Sequence, residues 1–313
     1  LGADIAPLGW HEKLDAPAGD PLPMLPPEPR PPVAARPRKL SITEIETWRR
    51  DPYAIYAKHV LRLRALDPLD ADPGAADRGI IIHEALGNFL KAYPRQLPRD
   101  TLERLLVLGE QSFAPLLDRP GVWAFWWPRY KRIAEWIGAM EAERRPLLED
   151  ILAEIDGRMI VEAAAGPFEI VGRADRIERR RDGKITIVDY KTGSVPEAGD
   201  LAEGITPQLA LEAAMIEQGG IAALGKASVA ELAYWKLGGG DPAGKVMRRV
   251  DNPDEMRATI ERTVLGMRTL IASFDDPSTA YLAVPRPEKA PRYSDYAHLE
   301  RQKEWLAGEE EEE

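Results

Sequence analysis

Between Phe168 and Gly193 the chain reads FEIVGRADRIERRRDGKITIVDYKTG. Two runs rich in β-branched residues flank Asp182-Gly183, a pair suited to a tight turn. The stretch reads as a β-hairpin, and a hairpin dictates which residues face one another. Asp175 is placed at the end of one strand and Asp189 at the end of its neighbour. Neighbouring strands lie about 5 Å apart, so the two carboxylates can converge on one cation. Carboxylate oxygens are hard ligands, right for magnesium or manganese. Lys191 follows two residues after Asp189, on the same face by the two-residue period of a strand. An ammonium there can hold a water or stabilise charge on a phosphate, while a metal neutralises charge at phosphorus. The pattern suits phosphodiester hydrolysis.

Around this hairpin the periodicity predicts an α/β core inside a helical wrapping. LSITEI starts a helix, with Ser41 as its cap, Glu44 completing a capping box, and Leu40 and Ile45 placed for a hydrophobic staple. Asp51-Pro52 starts another. The run from Arg78 to Pro94 puts Ile82, Leu86, Phe89 and Leu90 on one helical stripe. Arg99 to Leu117, Pro128 to Leu148, Pro207 to Gln218 and Pro253 to Phe274 read as further helices. DILAEIDGRMIV and Ala230 to Leu237 read as strand-like, with breaks at Asp156-Gly157 and Gly166-Pro167. Leu237 to Gly244 lacks the lysine and spacing of a phosphate loop and reads as a flexible loop. In domain terms, residues 1–38 are a proline-rich linker or strap. Residues 39–285 are the globular domain, and 286–313 a C-terminal segment ending in the acidic run Glu309 to Glu313. Leu1 in place of a methionine fits a piece of a longer chain.

The chain has no cysteine, which excludes disulfides, thiolate metal sites and iron–sulfur clusters. No apolar run is long enough to span a bilayer and no secretory signal is visible, so a cytoplasmic protein without membrane contact is expected. The formal net charge of -10 weighs against nucleic acid as a partner, but the charge is uneven. From Arg30 to Arg64 nine basic residues stand against Glu44, Glu46 and Asp51, and a second basic cluster runs from Arg173 to Arg181. These give Arg49, Arg50, Arg173 and Arg176 as candidate DNA contacts. GVWAFWWPRY, Gly121 to Tyr130, suits packing between helices better than stacking on bases. Glu154 and Glu162 read as solvent-facing, with Glu154 alternatively touching the water shell of the metal.

Four elements occur in order: GIIIH from Gly79 to His83, GRADR from Gly172 to Arg176, DYKTG from Asp189 to Gly193, and Gln208-Leu209 on the next helix. In these the chain resembles the PD-(D/E)xK nuclease superfamily, in the branch containing RecB-type nuclease domains, over about Leu40 to Leu237. The resemblance implies a restriction-endonuclease-like core, a mixed β-sheet flanked by helices, with additional N-terminal helices. It implies a Mg2+-dependent deoxyribonuclease, with Mn2+ as a substitute. Asp175, Asp189, Lys191 and Gln208 would be catalytic. His83, Asp175, Asp189 and the backbone carbonyl of Tyr190 would hold the metal.

Within that branch the chain is most similar to the C-terminal nuclease domains of AddB-type helicase–nuclease subunits, of the alphaproteobacterial kind without an iron–sulfur cluster. Asp51 stands where other members carry a cluster cysteine. Many relatives have a tyrosine where this chain has Glu212, whose role is left open. The implied partners are single-stranded DNA ends and an AddA-type motor subunit, and the implied process is double-strand break repair by recombination. Two alternatives are a catalytically silent DNA-binding or scaffold module and a stand-alone single-strand exonuclease of the CRISPR-associated or phage kind.

Overall fold

The computed structural model describes residues 25–66, 72–116, 119–291 and 293–309. Most of the proline-rich segment, residues 1–24, and the last four glutamates lie outside the described residues. The helices are α1 (Ile42–Arg50), α2 (Pro52–Ile55), α3 (Ala75–Ala92), α4 (Thr101–Phe113), α5 (Pro120–Arg144), α6 (Ala198–Ala202), α7 (Gln208–Gln218), α8 (Pro253–Asp275) and α9 (Gln302–Glu309). The strands are β1 (Lys39–Ser41), β2 (Leu148–Val161), β3 (Phe168–Arg180), β4 (Ile185–Lys191), β5 (Val229–Leu237) and β6 (Gly244–Val250).

They form one six-stranded mixed sheet among the described residues. β2 pairs antiparallel with β3 along its whole length, and β4, β5 and β6 follow outward. Helices cover both faces. Leu40, Ile42, Ile45 and Trp48 pack with α7 and α8 on one face; α3, α4 and α5 pack on the other. The central strands alternate between the two: on β5, Leu232 and Tyr234 face the first cluster, Ala233 and Trp235 the second. This three-layer arrangement is the mixed sheet flanked by helices that the sequence predicts.

Local chemistry explains the element starts. Ser41 caps α1 and Glu44 returns the bond to the Ser41 amide, so two orphan donors are satisfied together. Asp51 caps α2 through the Ala54 amide, with Pro52 at the first helical position. Three expectations need correction. β2 runs through Asp156-Gly157 without a break, because Gly157 is where Met215 and Ile221 cross the strand: an added Cβ would lie 3.0 Å from Ile221 Cγ1. α5 starts at Pro120 and not at Pro128. The lost hydrogen bond at Pro128 is offset by Trp123 stacking on Trp127 at 4.8 Å, Trp127 on Tyr130 at 5.5 Å, and Phe113 set edge-on. The loop after Leu237 is a hairpin connection that returns as β6.

Both ends of the described chain fold back onto this body. The buried Arg36 guanidinium donates to the carbonyls of Pro31, Phe274, Asp276 and Pro277, closing the C-terminal end of α8. Trp305 is buried against Tyr53, Ala57, Ala283 and Val284. No helix among the described residues is long and apolar enough to cross a membrane.

Candidate active site

β3 is served unevenly along one edge. β2 occupies its other edge throughout, β1 pairs only from Glu169 to Val171, and β4 joins only from Arg176. Residues 172–175 therefore have no strand beside them on this edge. At the start of this gap a Cβ on Gly172 would lie 2.3 Å from Ile42 Cδ1, so α1 can pack there only against glycine. At its other end Asp175 Oδ2 accepts the Tyr190 amide at 2.8 Å, replacing the ladder bond that β3 no longer supplies. The N–H and C=O of one strand residue leave on the same side, so the Tyr190 carbonyl points into the same gap. Asp175 thus lies mid-strand; what ends there is the β3–β4 ladder, not β3 itself.

Across the β2–β3 ladder Glu154 stands opposite Asp175, between the pairs Ala153↔Arg176 and Ile155↔Ala174. Its φ is +52°, a left-handed conformation that disfavours any residue with a Cβ. At this point both strands exchange faces. Ile151 and Ala153 pack toward α3–α5, whereas Ile155 and Met159, of the same parity, pack toward α1, α7 and α8. From α3 come Gly79, His83 and Gly87, at four-residue spacing on one stripe. A Cβ on Gly79 would be 3.0 Å from Thr192 Oγ1, and one on Gly87 would be 2.9 Å from Glu154 Cγ. The two glycines let α3 lie close enough for His83 Nδ1 to reach 3.3 Å from Asp175 Oδ2. Arg78 Nη2 donates to the Thr192 carbonyl at 3.4 Å from the same helix.

Ligand atoms of His83, Glu154 and Asp175 all lie within 4.8 Å of one another. Burial pushes the Glu154 carboxyl above its ordinary range and the Asp175 charge adds to it. Burial works against a charged His83, but the Asp175 hydrogen bond and charge outweigh it and hold its pKa above the usual value. One imidazole nitrogen with two crowded carboxylates fits a divalent cation. Glu154, read from sequence as solvent-facing, belongs to this set; the expected break at Asp156-Gly157 hid the register that pairs it with Asp175. Glu162 is exposed and outside it.

The other half of the site hangs from β4 and α7. Asp189 is 2% exposed. Lys191 Nζ lies 2.8 Å from Asp189 Oδ2 and donates to Gln208 Oε1 at 3.1 Å, and Gln208 Nε2 donates to Asp189 Oδ1 at 2.6 Å. Burial raises the Asp189 pKa to about 6, with Lys191 opposing and Asp175 reinforcing the shift. Asp189 is thus held by Lys191 and Gln208 rather than by the three-residue cluster, although its charge reaches His83.

The four expected DNA contacts fare differently. Arg176 is fully buried, paired with Glu141 and Glu178, stacked 4.7 Å over Trp235 and bonded to Tyr190 Oη. It cannot reach a phosphate; it locks α5, β3 and β4 beneath the site. Arg50 is tied to Glu46, Asp200 and the Lys289 carbonyl. Arg49 is packed against α8, 2.8 Å from the Cβ that Gly266 lacks. Arg173 is exposed but pairs with Asp156 at 2.8 Å. Much of the expected basic track from Arg30 to Arg64 is paired within the chain, Arg38 with Asp275 and, at the surface, Arg30 with Glu28, Lys39 with Glu169 and Lys58 with Glu44.

Comparison with known proteins agrees with this geometry. The family model of the PD-(D/E)XK nuclease superfamily matches residues 39–283. An uncharacterized protein of Rickettsia bellii (strain RML369-C) is 34% identical over 184 residues, covering 59% of this chain and 22% of that protein. An uncharacterized protein of Rickettsia conorii (strain ATCC VR-613 / Malish 7) is 31% identical over 188 residues, with the same coverage of 59% and 22%. The chain thus spans about a fifth of the length of the curated relatives it matches. The crystal structure of SSO0001 aligns at a TM-score of 0.25 and 10% identity, over 86% of this chain and 87% of that one, a likeness too slight to bear on the fold.

Proposed function

Because this chain belongs to the PD-(D/E)XK nuclease superfamily, we propose that it hydrolyses DNA phosphodiester bonds with a divalent metal, magnesium in the first place. The observation that carries this reading is the convergence of His83, Glu154 and Asp175 beside the Asp189–Lys191–Gln208 chain. Held by His83, Glu154 and Asp175, the cation supplies charge neutralisation at a phosphate and a more acidic water. Lys191 has three ammonium hydrogens, and Asp189 and Gln208 take two. The third is left for an oxygen of the substrate phosphate. Asp189, with its pKa near 6, is poised to accept a proton near neutral pH. Magnesium-dependent cleavage of end-labelled DNA, leaving 5′-phosphate and 3′-hydroxyl ends, tests the proposal; cleavage persisting in excess chelator overturns it.

The finer reading is that this is the nuclease part of an AddB-type subunit, working on a strand delivered by an AddA-type motor during double-strand break repair. Two observations support it. The relatives are more than twice as long as this chain. The chain carries a net charge of -10 while most of its basic stretch from Arg30 to Arg64 is internally paired, so it has little with which to capture DNA unaided. The comparison that decides is this chain alone against the full complex on one labelled duplex, with and without ATP. Delivered-strand digestion requires the complex to be faster and ATP to matter; equal rates overturn it.

A further inference from the structure

Glu212 follows Gln208 by one turn of α7, on the same face, and is 3% exposed. It is a carboxyl placed under a reaction centre without touching any of the three residues that gather on the α3 side. Its Oε1 accepts from Gln208 Nε2 at 3.3 Å, and its Oε2 is buried without a hydrogen-bond partner among the described residues.

The carboxamide of Gln208 is asymmetric, an acceptor at one end and two donor hydrogens at the other. Its oxygen faces the Lys191 ammonium at 3.1 Å and its nitrogen faces Asp189 Oδ1 at 2.6 Å. One amide hydrogen is thereby used, and the other needs an acceptor, since an unpaired buried donor is unfavourable. Glu212 is that acceptor. With both hydrogens taken, the amide plane is held at three points, and so are the groups it links. A neutral carboxylic acid suits the task, because an ionised one would add another negative charge beside Asp189 and Asp175. Burial and those two charges do hold the Glu212 pKa well above the usual carboxylate range.

We propose that Glu212 is a positioning residue: by accepting from Gln208 it locks the carboxamide, and through it the mutual placement of Asp189 and Lys191. The proposal rests on the nuclease reading of the same site. It requires the acceptor oxygen of Glu212 and not its charge.

The test compares Glu212→Gln, Glu212→Leu, Gln208→Ala and the double variant Gln208→Ala/Glu212→Leu with the unaltered chain. Magnesium-dependent cleavage of a single-stranded oligonucleotide is read as kcat and KM, and hydrogen exchange of the Gln208 side-chain amide is read by NMR. Glu212→Gln keeps an acceptor and should stay within about threefold of the parent in kcat. Glu212→Leu should lower kcat by about tenfold or more with KM little changed, and speed exchange of the Gln208 amide. In the Gln208→Ala background Glu212→Leu should cost nothing further, since coupled residues are not additive. Parent-like activity and amide exchange in Glu212→Leu, a Glu212→Gln variant as impaired as Gln208→Ala, or additive losses would each overturn the role. If Glu212→Leu does not fold, the nearly isosteric Glu212→Gln variant still decides, in kcat and in amide exchange. If the parent chain does not cleave DNA, the nuclease reading fails while the amide exchange still reports whether Glu212 holds Gln208.

Discussion

Glu154 faces Asp175 across the β2–β3 ladder at the one place where both strands swap the faces they present. On β2 the swap is made at a left-handed residue in an otherwise extended strand, and a glutamate occupies it at φ +52°. A side chain kept in an unfavourable conformation beside a histidine and an aspartate points to a role that glycine could not fill.

Glu154→Gly should therefore separate stability from metal binding. Glycine adopts positive φ without a steric penalty, so the melting midpoint should hold or rise by about 1–2 °C. Metal affinity should fall by about tenfold or more, equivalent to about 1.4 kcal/mol. Calorimetric titration with magnesium or manganese, set beside thermal melting, checks both signs. A variant that melts lower and binds metal as before would contradict the assignment.

Lys191→Ala and Asp175→Ala should fail differently. A charged lysine has no lone pair and is no ligand, so Lys191→Ala should lose turnover while still binding metal. Asp175→Ala should lose both, by about 100-fold or more in rate, because it removes a carboxylate from the cluster. Calorimetry showing equal loss of metal in the two variants would remove Lys191 from its catalytic role.

Much of this was legible from residues alone, and the reasons are physical. A helix cap or a tight turn is written in neighbouring side chains, so Ser41, Glu44, Asp51-Pro52 and Asp182-Gly183 could be read locally. Asp175, Asp189, Lys191 and His83 could be found because one hairpin and one helical motif carry them. Glu154 could be offered only as an alternative to a solvent-facing residue, since its place depends on a register running from Leu148 to Val161 through an Asp-Gly pair that normally signals a turn. Nor could the fate of the arginines be read from charge. Arg173 and Arg176 are three residues apart, one exposed and the other fully buried, and the face swap at Asp175 and the Glu141 carboxylate brought by α5 separate them.

That separation is testable in solution. Arg176→Met should destabilise the fold by about 1–3 kcal/mol, because Glu141 and Glu178 lose their shared buried cation and keep only Arg145 and Arg144 respectively. Arg173→Ala should leave stability within about 0.5 kcal/mol, as expected for an exposed pair. Urea unfolding of the two variants decides. If Arg176→Met is as stable as the parent, the buried ion cluster is not what holds β3 under the site.

The C-terminal segment should be held by a proton. Asp51 and Glu300 are both buried and share a hydrogen bond, Asp51 between the ends of α1 and α2, Glu300 just before α9. Two carboxylates cannot both stay ionised there, and burial, then the Asp51 charge, lifts the Glu300 pKa from 4.5 to about 8. The folded state therefore keeps a proton that the unfolded chain releases above about pH 4.5. The stabilisation is complete below that pH and is lost as pH rises through about 8. Asp51 is shifted in the same direction, by its burial. Trp305, whose indole donates to the Glu300 carbonyl at 2.9 Å, should come away from Tyr53 and Val284 as the pair ionises. Glu300→Gln retains a hydrogen bond to Asp51 without a titrating group, so it should flatten the decline of stability between pH 6 and 9. Thermal melting of parent and variant across that range, with amide exchange followed at residues 296–305, measures it. Parallel pH profiles for the two proteins would show that the Asp51–Glu300 proton does not hold the segment in place.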